Sequence, residues 1–156
     1  MLNFHEIKYQ LSRDEEPEIA NELGLMYIEE YTDVDIYLKT HRRDSFKLKT
    51  SGGSTIFYHI KLADGIFVIS GKAVDEEAKG FLLEQHPVEI EMNRVNRVYD
   101  WKKLMVKCDF DYIKQFPDRA FLKVYSISRE QVLEAKRCLK SLGYNQTVDL
   151  AYNKLY

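Results

Sequence analysis

Apolar and polar residues alternate along much of this chain. Within Leu2–Leu11 the odd positions carry His5, Ile7, Tyr9 and Leu11, and the even positions carry Phe4, Glu6, Lys8 and Gln10. Side chains of a strand point to its two faces in turn, so this stretch predicts one strand with Glu6 and Lys8 on the same side. Residues 44–50 repeat the pattern, with Phe46 and Leu48 opposite Lys47 and Lys49. Residues 55–62 set Ile56, Tyr58 and Ile60 against Phe57, His59 and Lys61, and residues 119–127 set Leu122 and Val124 against Phe121, Lys123 and Tyr125. Further strands are predicted over 27–39, 66–74, 88–99 and 103–109.

Turn chemistry joins these strands. Ser51-Gly52-Gly53-Ser54 and Asp64-Gly65 read as tight hairpins, because such turns need positive φ. Helices are predicted where the period lengthens. One starts after Asp14 as N-cap, takes Pro17 in its first turn and stops at Gly24. A second begins at Asp75 and is broken by Pro87, and a third follows the capping pair Ser128 and Gln131 and stops at Gly143. Strands that are apolar on one face and lysine-bearing on the other predict a sheet curled around a charged interior. The expected fold is α+β: a single domain over 1–156, an antiparallel β-barrel or tunnel of about seven to eight strands with about three or four flanking helices.

Composition narrows the function. With 45% hydrophobic and 31% charged residues the 156-residue chain reads as globular, with enough length for a core. A net charge of −2 supplies no bulk attraction for nucleic acid or membrane, so any anion site must be a local cluster. No apolar run reaches bilayer length, and Met1-Leu2-Asn3-Phe4 leads into a strand instead of a signal peptide. Cys108 and Cys138 have neither metal nor redox spacing. Together these predict a cytoplasmic protein with free thiols and no membrane partner; they set no oligomeric state.

The common catalytic motifs are missing. No phosphate-binding glycine loop, zinc spacing or nucleophile elbow occurs, and His5, His41, His59 and His86 are scattered. What remains is a set of cations on predicted strands: Lys8, Lys47, Lys49, Lys61, Arg94, Lys107 and Lys123. Lysines on a solvated sheet face discourage edge pairing, and that is one reading. The other is a polyanion site in which several of them converge on phosphate groups.

The order of these segments resembles the CYTH, or triphosphate tunnel metalloenzyme, superfamily, over nearly the whole chain. The family's opening E-x-E-x-K strand is similar to Phe4-His5-Glu6-Ile7-Lys8. Its D-x-Y-F strand and following basic strand look like Asp35-Ile36-Tyr37-Leu38 and Phe46-Lys47-Leu48-Lys49. Its later motifs look like Arg94-Val95-Asn96, Cys108-Asp109 (or Phe110-Asp111), Phe121-Leu122-Lys123-Val124-Tyr125 and the tail Ala151-Tyr152-Asn153-Lys154-Leu155. The resemblance implies a barrel whose ligand is a phosphorylated small molecule, a nucleotide or triphosphate. It implies Glu6 and Lys8 as catalytic candidates, and Glu6 with Asp109 as ligands of Mg²⁺ or Mn²⁺.

The departures from that pattern fall on the acids. Phe4, Lys123 and Tyr125 stand where the family has glutamates, and lysine in place of a carboxylate repels a metal while attracting phosphate. Glu89, Glu91, Asp109 and Asp111 are the acids available to substitute. Three readings follow: a metal-dependent triphosphatase or cyclase-like enzyme, a barrel that binds a phosphorylated ligand without turnover and needs no metal, and a scaffold. Several carboxylates beside Glu6 in the lumen would favour the enzyme; one acid among many cations would favour binding.

Overall fold

In the computed structural model, which describes residues 2–41 and 43–156, the chain forms a closed antiparallel barrel. The strands are β1 (Leu2–Leu11), β2 (Met26–Leu38), β3 (Ser45–Ser51), β4 (Ser54–Ala63), β5 (Ile66–Val74), β6 (Val88–Trp101), β7 (Val106–Ile113) and β8 (Ala120–Ser126). The helices are α1 (Glu16–Leu23), α2 (Glu76–Gln85), α3 (Arg129–Ser141) and the short α4 (Tyr152–Leu155). Around the barrel the order is β1-β5-β4-β3-β2-β6-β7-β8, and β8 returns to β1. Among the described residues no helix is long and apolar enough to cross a membrane.

Both expected hairpins are present. Gly52 and Gly53 have φ of 57° and 85°, and Asp64 and Gly65 have 53° and 75°, which is the backbone a two-residue antiparallel turn requires. Ser128 caps α3 by accepting from the Gln131 amide, and Gly24 ends α1 in the left-handed region. The Asp14 cap is corrected: Glu15 occupies the N-cap position with no side-chain cap bond, and Asp14 instead accepts from the Ser12 hydroxyl. α1 is tied to the barrel by Glu16, which accepts from Tyr99, from Arg97 Nε at 2.6 Å and from Tyr112 at 2.6 Å.

The outer faces of β1, β6, β7 and β8 carry the main core. Ile7, Tyr9, Trp101, Cys108, Phe110, Leu122 and Val124 pack there with Val132, Ala135 and Leu139 of α3. Burial of this layer fixes the register, since slipping a strand by one residue would turn its apolar set into the lumen. A second cluster lies at one end of the barrel. Tyr37, Met92, Ile113 and Phe121 project from the strands there, and Val148, Ala151 and Tyr152 of the C-terminal tail pack across them.

Candidate functional site: a charge-compensated lumen

Period-two alternation brings ten charged side chains together inside the barrel. The cations are Lys8, Lys47, Lys49, Arg94 and Lys123; the carboxylates are Glu6, Asp33, Asp35, Asp109 and Asp111. All but Lys8 are paired with one another. Arg94 lies 3.0 Å from a carboxylate oxygen of each of Asp33, Asp35 and Asp111. Lys47 reaches Asp35 at 3.1 Å and Lys49 reaches Asp33 at 3.3 Å. Asn96 donates to Asp33 at 2.9 Å, and the Tyr152 hydroxyl donates to Asp111 at 2.6 Å.

Lys123 holds the centre of the acidic side. Its ammonium is 3.1 Å from Asp111 and 3.9 Å from both Asp109 and Glu6. Burial and Arg94 push the Lys123 pKa down, but the three carboxylates outweigh them and raise it. Burial also pushes the Asp109 carboxyl up, while Lys123 and Arg94 overcome burial at Asp111 and hold it low. A divalent cation in this donor set would have to share its place with an ammonium group. Among the described residues no group of three or more His, Cys, Asp or Glu side chains is arranged to hold a metal ion. The residues present therefore do not fit Mg²⁺ or Mn²⁺.

Lys8 differs from the other four cations. It makes no ion pair among the described residues; its ammonium donates to the Leu150 carbonyl at 2.9 Å and lies over the rings of Tyr152 at 4.0 Å and Phe67 at 4.8 Å. Burial lowers its pKa to about 7, and burial lowers that of Lys47 to about 8.

The other half of the lumen wall is apolar. Tyr58, Ile60, Phe67 and Ile69 of β4 and β5 form it, with Phe4 and Ile56 packed alongside. The inner cavity between the two halves is only about 50 Å³, room for one or two waters. It shares Phe4, Glu6, Lys49, Tyr58 and Lys123 with a wider mouth of about 660 Å³. That mouth is large enough for a small molecule.

Six of the seven cations named from the sequence are thus on the lumen side. Lys107 is the outermost of them, at the mouth and 2.6 Å from Asp100. Lys61 is corrected: it is exposed on the outer face, because on β4 the apolar set Tyr58 and Ile60 faces inward. Of the substitute acids, Asp109 and Asp111 are buried in the lumen, whereas Glu89 and Glu91 are exposed. Asp33 is a lumen residue that sequence reasoning missed, and Asp35 and Asn96 entered it only as parts of motifs. The spacing of Tyr31, Asp33, Asp35 and Tyr37 on one strand face was the available signal.

No protein-family model matches the chain, and no curated protein does. Solved structures do. A conserved hypothetical protein from Pyrococcus furiosus superposes with a TM-score of 0.76 at 14% identity, covering 98% of this chain and 99% of that one. A candidate adenylyl cyclase from Hippeastrum, described as having a dominant triphosphatase activity, superposes at 0.64 with 13% identity, covering 97% and 93%. A chain of the Schizosaccharomyces pombe Mediator head module superposes at 0.68 with 9% identity, covering 94% and 98%. At these identities the likeness is one of fold: this chain shares the closed eight-stranded barrel architecture of these structures.

Proposed function

We propose that this chain binds a phosphorylated small molecule, such as a nucleotide, at the mouth of its barrel and does not turn it over by divalent-metal chemistry. The observation that carries this reading is the Lys123 ammonium among Glu6, Asp109 and Asp111. By number the lumen meets the pattern anticipated for an enzyme, with four carboxylates besides Glu6; what weighs against a metal is the cation beside each of them. The inner cavity is too small for a triphosphate, so the ligand's charge sits at the mouth, within reach of Lys49, Lys107 and Lys123. Lys8, Lys47 and Arg94 lie deeper, lining the inner cavity and not the mouth. The free thiols Cys108 and Cys138 fit a reducing compartment, and on that ground we place the chain in the cytoplasm.

The test is a pair of assays on one preparation: calorimetric titration with ATP, tripolyphosphate and pyrophosphate, with and without EDTA, and release of phosphate or cyclic nucleotide. Binding should survive EDTA, weaken with salt and fall about tenfold in Lys49→Ala. Rapid Mn²⁺-dependent release abolished by Glu6→Gln would overturn the proposal. A scaffold is the second reading, favoured by the mutual neutralisation of the lumen charges; no binding of any of these anions at low salt would put it first.

A further inference from the structure

We infer that the mouth is shaped for an amphiphilic phosphate, the phosphomonoester of an apolar alcohol, with its head toward Lys49 and Lys123 and its apolar body on Leu2, Met105 and Ile127. This rests on the reading of the barrel as a phosphate binder and adds the class of molecule.

The apolar rim is the first ground. Ile127 is 84% exposed and Met105 74%, the two highest values among the described large hydrophobic residues, and Leu2 is 53% exposed. Single exposed apolar side chains are ordinary; three around the rim of one cavity mark a contact surface. None of the three lines the inner cavity, whereas Lys49 and Lys123 line both. The three apolar side chains therefore belong to the rim alone, and the two lysines to the passage between the rim and the inner cavity.

The backbone at Met105 is the second ground. Among the described residues it shares positive φ (57°) only with glycines and Asp64. Asp64 occupies a hairpin turn, where a short polar side chain tolerates that region. Met105 ends the one-turn 3-10 helix Lys102–Leu104, a position that glycine would fill with less strain. The chain instead sets there a long, polarizable side chain suited to irregular apolar surfaces.

Volume is the third ground. A phosphate head alone leaves most of the mouth's 660 Å³ unfilled. The charge of Lys49, Lys107 and Lys123 complements the head, and the rim complements an apolar body entering end on. The occupant is a single molecule from solution.

Calorimetry with pyrophosphate, butyl phosphate, octyl phosphate and octanol tests this, with the octyl compound kept below its micelle concentration. Octyl phosphate should bind about tenfold or more tighter than butyl phosphate. The double variant Met105→Gln, Ile127→Asn should lose that difference and keep its pyrophosphate affinity; both residues are exposed, and a thermal melt checks the fold. Lys49→Ala should weaken all the phosphates alike. Equal binding of butyl and octyl phosphate, with pyrophosphate still bound, would overturn the amphiphile and leave the phosphate reading standing. Octanol binding as well as octyl phosphate, or phosphatidate vesicles bound without octyl phosphate, would also overturn it. No binding of any phosphate would sink both readings.

Discussion

Lys8 and Lys123 are directly opposite one another in the β1–β8 ladder, and both point into the barrel. Like charges in that relation repel. The barrel resolves the conflict by treating the two differently. Lys123 keeps its proton among three carboxylates, and Lys8 is buried without a carboxylate partner among the described residues, so its charged form is disfavoured.

That difference makes stability depend on pH. Burial takes Lys8 from 10.5 to about 7 and Lys47 to about 8. Between pH 7 and 8.5 the unfolded chain holds protons that the folded chain has released, so stability rises with pH. Each lysine contributes at most about 1.4 kcal/mol per pH unit. Urea unfolding at pH 6.5, 7.5 and 8.5 should show the midpoint climbing, and Lys8→Met should reduce the slope. A slope unchanged in Lys8→Met would assign the effect elsewhere.

Removing Lys123 should unmask the acids. Lys123→Met leaves Glu6, Asp109 and Asp111 without their shared cation and should destabilise the fold by about 3 kcal/mol. Mn²⁺ at millimolar concentration should restore part of this in the variant and do little for the parent chain. Thermal melts with and without Mn²⁺ check it; an equal rise in both proteins would contradict the role given to Lys123.

Arg94 is the pairing centre of the other acids. Arg94→Met removes the cation shared by Asp33, Asp35 and Asp111, leaving them only Lys49, Lys47 and Lys123, and should lower stability by about 3 kcal/mol. Arg94→Lys should rescue little, because an ammonium cannot meet three carboxylates in the plane of a guanidinium. Chemical denaturation of both variants measures this, and near-parent stability in Arg94→Lys would count against it.

Gly71 makes room for the apolar half of the lumen. A Cβ there would come within 2.6 Å of the Tyr58 ring. Gly71→Ala should therefore cost about 1–3 kcal/mol. Gly71→Ala with Tyr58→Leu should recover part of the loss in a double-mutant cycle, and strict additivity would show that the contact does not carry the effect.

The sequence made the barrel legible because the outer faces of β1, β3 and β8 carry unbroken apolar alternation: Ile7 and Tyr9, Phe46 and Leu48, Leu122 and Val124. It failed at Lys61 because β4 inverts that pattern: its apolar set Ile56, Tyr58 and Ile60 faces the lumen, and His59 and Lys61 face outward. The cations of the lumen were legible one at a time, but their partners were not. Asp33 lies 61 residues from Arg94 in sequence, and only the β2–β6 pairing brings them together. The neutralisation of Asp33 and Asp35 by Arg94 is a property of that pairing.

The tail gives the barrel a floor. Val148 donates to the Lys8 carbonyl, Leu150 accepts from its ammonium, and Tyr152 reaches Asp111, so the last residues are fastened to the strands from inside. A ligand that enters at the mouth must then reverse along its own path to leave. For the proposed ligand, arrival and departure would be governed by the same few rim side chains, and residence time would become a property of Met105 and Ile127.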